Sequence, residues 1–325
     1  MKVSLKNYLI KNLLNSKVGF NLVKSKFDNI IIMYHGITDE SCPYNNRHTL
    51  TKDFKKHLIF FKKYCNILSL NDFCEEKFIS NKINIAITFD DGYYNNYKIA
   101  QAILEELKIP ATFFVTGINT TDDKILWADY VDIVSSVIQN DISFELGDFS
   151  FILQNKIFKC INSNKSLHQI IKNDLPEYEH KLELFTKLKK YIPKNTFENN
   201  EIYWKLMTDS DIVKSSKSNF ISIQSHGFLH NNLGKIKEEN AFNEILNSKC
   251  YLEDLTQKKI DFIGYPDGSY SKNVVDFAFK NGFKYQFAAD GFLFNEDTMD
   301  NRLFDRNGMY NIGSSNNQIF NALKK

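Results

Sequence analysis

The 325-residue sequence predicts an α/β fold assembled from parallel βα units. Three observations predict it. Apolar runs of strand length alternate with stretches of helical apolar spacing. The connections between them are short. Several of the runs end in polar groups where a parallel strand would hand over to its helix, the place where α/β sheets and barrels put their chemistry.

Taken in order, residues 30–34 (IIIMY) read as the first buried strand, ending in His35-Gly36. Residues 51–64 read as a helix with Phe54, Leu58, Phe60 and Phe61 forming an apolar face among lysines. A short strand follows at 66–70, and Asn71-Asp72 caps a short helix. Residues 83–89 (INIAITF) are apolar enough to be a strand buried on both faces, and they run directly into Asp90-Asp91-Gly92. Residues 97–107 form a helix that Pro110 stops, and 111–115 (ATFFV) is another buried strand.

The rhythm breaks at about 119–204. This Lys/Asn-rich stretch carries enough Phe, Leu and Ile to fold against something, so it is an insertion and not a linker. Helical spacing recurs at 130–138 and 180–191, with a hairpin around 142–153. The expected role is a lid or small subdomain near the mouth of the main domain, which spans 29–325. The βα rhythm resumes with a short helix at 209–215 and a strand at 220–224 that carries Ser225 and His226 at its tip. A long helix follows at 238–255, then a strand at 260–265 ending in Pro266-Asp267-Gly268. A helix at 274–281 is closed by Gly282, and a last strand lies at 285–289.

Composition narrows the function. A net charge of +2 gives no global electrostatic case for nucleic acid as a partner. The 5 cysteines have neither CxxC nor regular spacing, which suits reduced, buried thiols in a cytosolic chain. Residues 1–28 interleave lysines with leucines, with no acid before Asp28. No apolar run there reaches the roughly 7–15 residues of a signal segment or the roughly 18 of a membrane span. The pattern is a basic amphipathic helix that either packs across its own domain or lies on an anionic membrane surface. The expected location is cytoplasmic, with peripheral association at the inner membrane face.

Isolated buried carboxylates are disfavoured unless they are paired or bind a metal. Asp90 and Asp91 at a buried strand tip therefore either serve chemistry or cap the helix that starts near Tyr94. In SHGFLHNN (225–232), His226 and His230 leave a strand with three residues between them, a spacing that lets both imidazoles face one point. Two neutral imidazoles and one carboxylate make a three-ligand catalytic metal site with open positions for water.

These residues also carry a resemblance. TFDDG (88–92) followed by SHGFLHNNL (225–233) resembles the first two motifs of the polysaccharide deacetylase family, the NodB-homology group or carbohydrate esterase family 4. The likeness extends to YHGI (34–37) and GYPDGSYS (264–271), on both sides of the insertion. The insertion and residues 1–28 have no counterpart in it.

The resemblance implies a distorted (β/α) barrel of about seven strands that hydrolyses the N-acetyl group of an amino sugar or glycan. It implies Asp90 as general base and Asp91, His226 and His230 as ligands of a divalent metal ion, Zn2+ first among them. The backbone N–H of Asp267 would steady the oxyanion. Three departures stand out. Gly264 occupies the place of an Arg that braces the base in many members. Asp267 replaces an aromatic residue and brings a negative charge toward the oxyanion. No His follows His230, so the family's C-terminal general acid is missing; Asp290, Asp305 and Arg306 lie in that region. Either Asp90 shuttles the proton itself or His35 serves as the acid. A degenerate, glycan-binding barrel and an amidohydrolase of another acyl amide are the competing expectations.

Overall fold

The computed structural model of the chain describes residues 29–139, 141–163 and 165–323; the expectations for residues 1–28 lie outside them. Among the described residues, nine strands form one sheet. They are β1 (Ile30–Tyr34), β2 (Cys65–Leu68), β3 (Ile83–Phe89), β4 (Ala111–Val115), β5 (Ile221–Ser225), β6 (Phe262–Gly264), β7 (Tyr285–Phe287), β8 (Leu303–Phe304) and β9 (Arg306–Gly308). The hydrogen-bonded order is β8-β7-β6-β5-β4-β3-β1-β9, with β2 beside the first half of β3, and every pairing is parallel.

All seven expected strands are present. The central run is buried on both faces, as its unbroken apolar character requires: every residue of β1, β3 and β4 is buried. The segment that sequence reading missed is 303–308. Its first half pairs with β7 and its second half with β1, so the two edges of the sheet are consecutive parts of one stretch broken only at Asp305. The sheet thereby curls on itself in the manner of a distorted (β/α) barrel. Two- and three-residue strands containing Arg, Asn and Gly have no apolar alternation to read.

Helices cover the sheet as the alternation predicts. Thr51–Tyr64 and Glu238–Thr256 lie where the spacing put them, and the former buries Phe54, Leu58 and Phe61. The helix after β3 begins with a π turn at Asn96–Ala100 before continuing as Gln101–Leu107.

The insertion has its own core, built from Trp127, Tyr130, Val134, Phe151, Phe158, Leu184 and Phe185 among others. Helices Trp127–Val137 and Tyr178–Lys189 frame a three-stranded antiparallel sheet. The hairpin Ser143–Leu146 and Phe149–Gln154 gains a third strand, Ile157–Cys160, and helix Leu167–Asn173 follows. The chain re-enters the main domain where Leu206 bridges Tyr93 and the Met207 N–H donates to the Gly92 carbonyl. The five cysteines are free thiols, four of them buried. Among the described residues, no helix is long and apolar enough to cross a membrane.

Candidate active site

The strand β3 continues one residue beyond its label: the Asp90 N–H donates to the Tyr34 carbonyl at 2.9 Å. The chain then turns through two left-handed residues, Asp91 (φ 74°) and Gly92 (φ 73°). A side chain at Gly92 would meet Val115 Cγ1 at 2.9 Å, so glycine is required for space as well as for φ. This turn aims both carboxylates inward. Neither caps a helix: Asp91 faces imidazoles and Asp90 faces a guanidinium.

Strand β5 ends at Ser225, and the His226 N–H donates to the Val115 carbonyl at 2.9 Å. The His226 Nδ1–H donates to the Gly264 carbonyl at 2.7 Å, which fixes the ring with Nε2 pointing to the carboxylates. Glu244, on helix Glu238–Thr256, ties the following loop down. One oxygen accepts from the Phe228 and Leu229 N–H groups at 2.7 and 2.8 Å, the other from Asn231 Nδ2 at 2.7 Å. His230 sits in the left-handed region (φ 52°), a conformation that costs on the order of 1 kcal/mol and brings its ring beside that of His226.

Asp91 Oδ1 thus lies 3.1 Å from His230 Nε2 and 3.4 Å from His226 Nε2. One ligand atom from each of the three residues falls within 4.8 Å of the others. Burial alone would raise the Asp91 carboxyl, but the two imidazoles override it and hold it well below its ordinary range. Two imidazole nitrogens and one carboxylate oxygen, with His226 braced from behind by a carbonyl, fit a divalent ion of the zinc type.

Asp90 stands beside this triad but is otherwise engaged. Its Oδ2 is 3.8 Å from His226 Nε2, and both of its oxygens accept from Arg306, at 2.5 and 2.8 Å. Arg306 is fully buried, and its Nε–H donates to the Ala288 carbonyl at 2.9 Å. Burial works to raise the Asp90 carboxyl; the Arg306 guanidinium and the nearby His226 reverse it and lower it. The brace expected at position 264 is therefore not missing. It comes from β9. Gly264 leaves the space that the guanidinium fills, since a Cβ there would lie 3.3 Å from Arg306 Nη2.

A cavity of about 320 Å3 opens over the strand tips. It brings together all six residues singled out from the sequence: His35, Asp90, Asp91, His226, His230 and Asp267. His35 is enclosed, its pKa lowered by burial, and its Nδ1 has no hydrogen-bond partner among the described residues. Asp267 lies in a left-handed turn (φ 53°), and its carboxylate is ion-paired with Lys172 of the insertion. The stray negative charge that the sequence placed near the oxyanion is thus neutralised. Arg47, Tyr93, Trp127, Lys172 and Tyr310 complete the wall. Sequence reading missed Arg47, Tyr93, Lys172, Tyr310 and Glu244. A charge inside an apolar helical stripe, as at Glu244 beside Ile245, was the signal available for that residue. Arg47 and Lys172 carried none.

Residues 79–150 and 173–286 match the polysaccharide deacetylase family, more than half of the chain. The chain belongs to the polysaccharide deacetylase family. With membership comes the activity of a sugar N-deacetylase, and the match also enters both ends of the insertion, leaving only 151–172 of it outside. No curated protein matches the chain in sequence. Solved structures that share its fold include the following three. The deacetylase PplD of Streptococcus pyogenes, solved in complex with acetate, is 16% identical, with a TM-score of 0.53 over 91% of this chain and 99% of that one. A de-N-acetylase of Aggregatibacter actinomycetemcomitans is 16% identical, with a TM-score of 0.54 over 90% and 99% of the two chains. IcaB of Ammonifex degensii is 13% identical, with a TM-score of 0.53 over 92% and 98%. At these identities the likeness establishes the fold of this polysaccharide deacetylase, and its site rests on its own residues.

Proposed function

We propose that this deacetylase removes the N-acetyl group from an amino sugar of a polysaccharide or glycolipid precursor. Asp91, His226 and His230 would hold the divalent ion, with Zn2+ as the first choice for two imidazoles and a carboxylate. When bound, such an ion polarises the acetyl carbonyl and lowers the pKa of its water. Asp90 is the general base. The observation that carries the proposal is its position: ionised by Arg306, 3.8 Å from His226, and outside the ligand set. A carboxylate so placed accepts a proton from water without surrendering its oxygens to the metal.

The Asp267 N–H steadies the developing oxyanion, and Lys172 keeps the Asp267 side chain from opposing it. Proton return to the leaving amine falls to Asp90, the acid once it has taken the proton from water, or to His35 across the cavity. The basic amphipathic pattern of residues 1–28 supports work at the inner face of the membrane; cell fractionation tests that placement. The missing His after His230 favours one other reading, a glycan-binding barrel without turnover. Acetate release from N-acetylated sugar oligomers separates the two. The wild-type chain is expected to release acetate and the Asp90→Asn variant to fall about 10^2- to 10^4-fold while keeping its metal. Equal, negligible release from both with metal bound would leave the binding protein.

A further inference from the structure

We propose that Trp127, carried by the insertion, is a substrate-binding residue. Its indole Nε1–H donates a hydrogen bond to a hydroxyl oxygen of the sugar whose acetamido group lies at Asp91, His226 and His230. The proposal rests on the deacetylase reading above and adds a contact from outside the motifs that define the site.

Trp127 is 3% exposed and lines the same cavity as Asp90, Asp91, His226 and His230. Its Nε1 is buried and has no acceptor among the described residues. A buried indole N–H ordinarily finds a partner, and an orphaned one on a residue that lines a polar cavity calls for an explanation. The other tryptophan of the chain shows the ordinary case: Trp204 Nε1–H donates to the Phe197 carbonyl at 2.8 Å. Orphaned donors suit a ligand that presents several neutral acceptors, which is what a pyranose offers.

The ring is also held in place. Trp127 opens the helix Trp127–Val137 and packs against His168, ring centroids 5.3 Å apart. Two residues on, Asp129 accepts from Tyr93 Oη at 2.8 Å and from Arg47 Nη2 at 2.6 Å, pinning this first turn to the main domain. The insertion is thus locked against the strand tips at the turn that carries the indole. A donor positioned in advance in this way loses little freedom on binding, which is the condition for a contact to add affinity.

Trp127→Phe keeps an aromatic ring at this place and removes the N–H together with the fused five-membered ring that carries it. The test uses zinc-loaded full-length chain and tetramers of N-acetylglucosamine, β-1,4- and β-1,6-linked. Trp127→Phe is expected to raise KM about 3- to 10-fold, the worth of one neutral hydrogen bond, with kcat within threefold and metal content unchanged. A second measurement leaves Trp127 intact. In the Trp204→Phe protein Trp127 is the sole tryptophan, since the chain has 2. Its emission should shift and saturate as tetramer is added, at a concentration matching KM. Acetate release with an unchanged KM and silent emission would overturn the role of Trp127 and leave the deacetylase standing. If the wild-type chain neither releases acetate nor binds either tetramer, the deacetylase reading fails first and takes this contact with it.

Discussion

At the scale of single residues, the site turns on how Asp90 stays ionised while buried. Removing one partner of a buried, doubly bonded ion pair strands the other charge, typically at about 3–5 kcal/mol. Arg306→Ala should therefore destabilise the fold by about that amount in denaturant unfolding, and Arg306→Lys by less, since lysine keeps the charge but not the two-pronged contact. The pH profile follows with a definite sign. Arg306 lowers the Asp90 carboxyl, and a general base acts in its ionised form. Loss of the guanidinium raises that pKa, so the acid limb of kcat/KM moves to higher pH; an unmoved limb would remove Arg306 from the mechanism. Because Gly264 and Arg306 share one space, Gly264→Arg in an Arg306→Ala background should recover activity at least tenfold over Arg306→Ala alone, measured as acetate release. This exchange explains why the brace was not legible in the sequence. The motif showed glycine where the arginine was sought, and nothing in the spacing joins position 264 to position 306. The pairs Asp90-Asp91 and His226/His230 were legible, because carboxylates and imidazoles at the ends of apolar strands have few reasons to be there.

At the scale of elements, the insertion touches the catalytic motifs through two lysines. Lys172 pairs with Asp267. Lys172→Ala should lower kcat about tenfold by exposing the oxyanion region to an unpaired carboxylate, and adding Asp267→Asn should restore most of it; a double-mutant cycle on acetate release checks the coupling. Lys181, 1% exposed, donates to Asn231 Oδ1 beside His230. Burial lowers its amine from 10.5 to about 8. Between those values the unfolded chain holds the proton and the folded chain does not, so stability rises with pH across that window. Wild-type unfolding free energy should gain up to about 3 kcal/mol relative to Lys181→Met from pH 8 to 10.5; parallel curves for the two proteins would contradict the burial of this amine. Elements with a strong apolar period, such as Ile83–Phe89 and Thr51–Tyr64, were read at their true extents. Short ones whose reason is tertiary, Leu303–Phe304, Arg306–Gly308 and Ile157–Cys160, were not.

At the scale of the whole molecule, the fold gathers groups that lie far apart in the chain. Curling of the parallel sheet sets the tips of β3, β5 and β6 on one rim, and the stretch 303–308 that joins its edges carries the arginine that pairs with Asp90. The class of fold was legible because alternation is a property of local sequence. The contacts that hold the insertion were not, since they are made by side chains whose partners come from other elements, such as Arg47 with Asp129 and Lys172 with Asp267.

The most direct test is anomalous scattering at the zinc edge from crystals of the chain grown with Zn2+. The account predicts one peak per chain, about 2.1 Å from Asp91 Oδ1, His226 Nε2 and His230 Nε2, with Asp90 on Arg306 and off the ion. No peak at full zinc loading, or a peak that Asp90 ligates in place of Asp91, would contradict it.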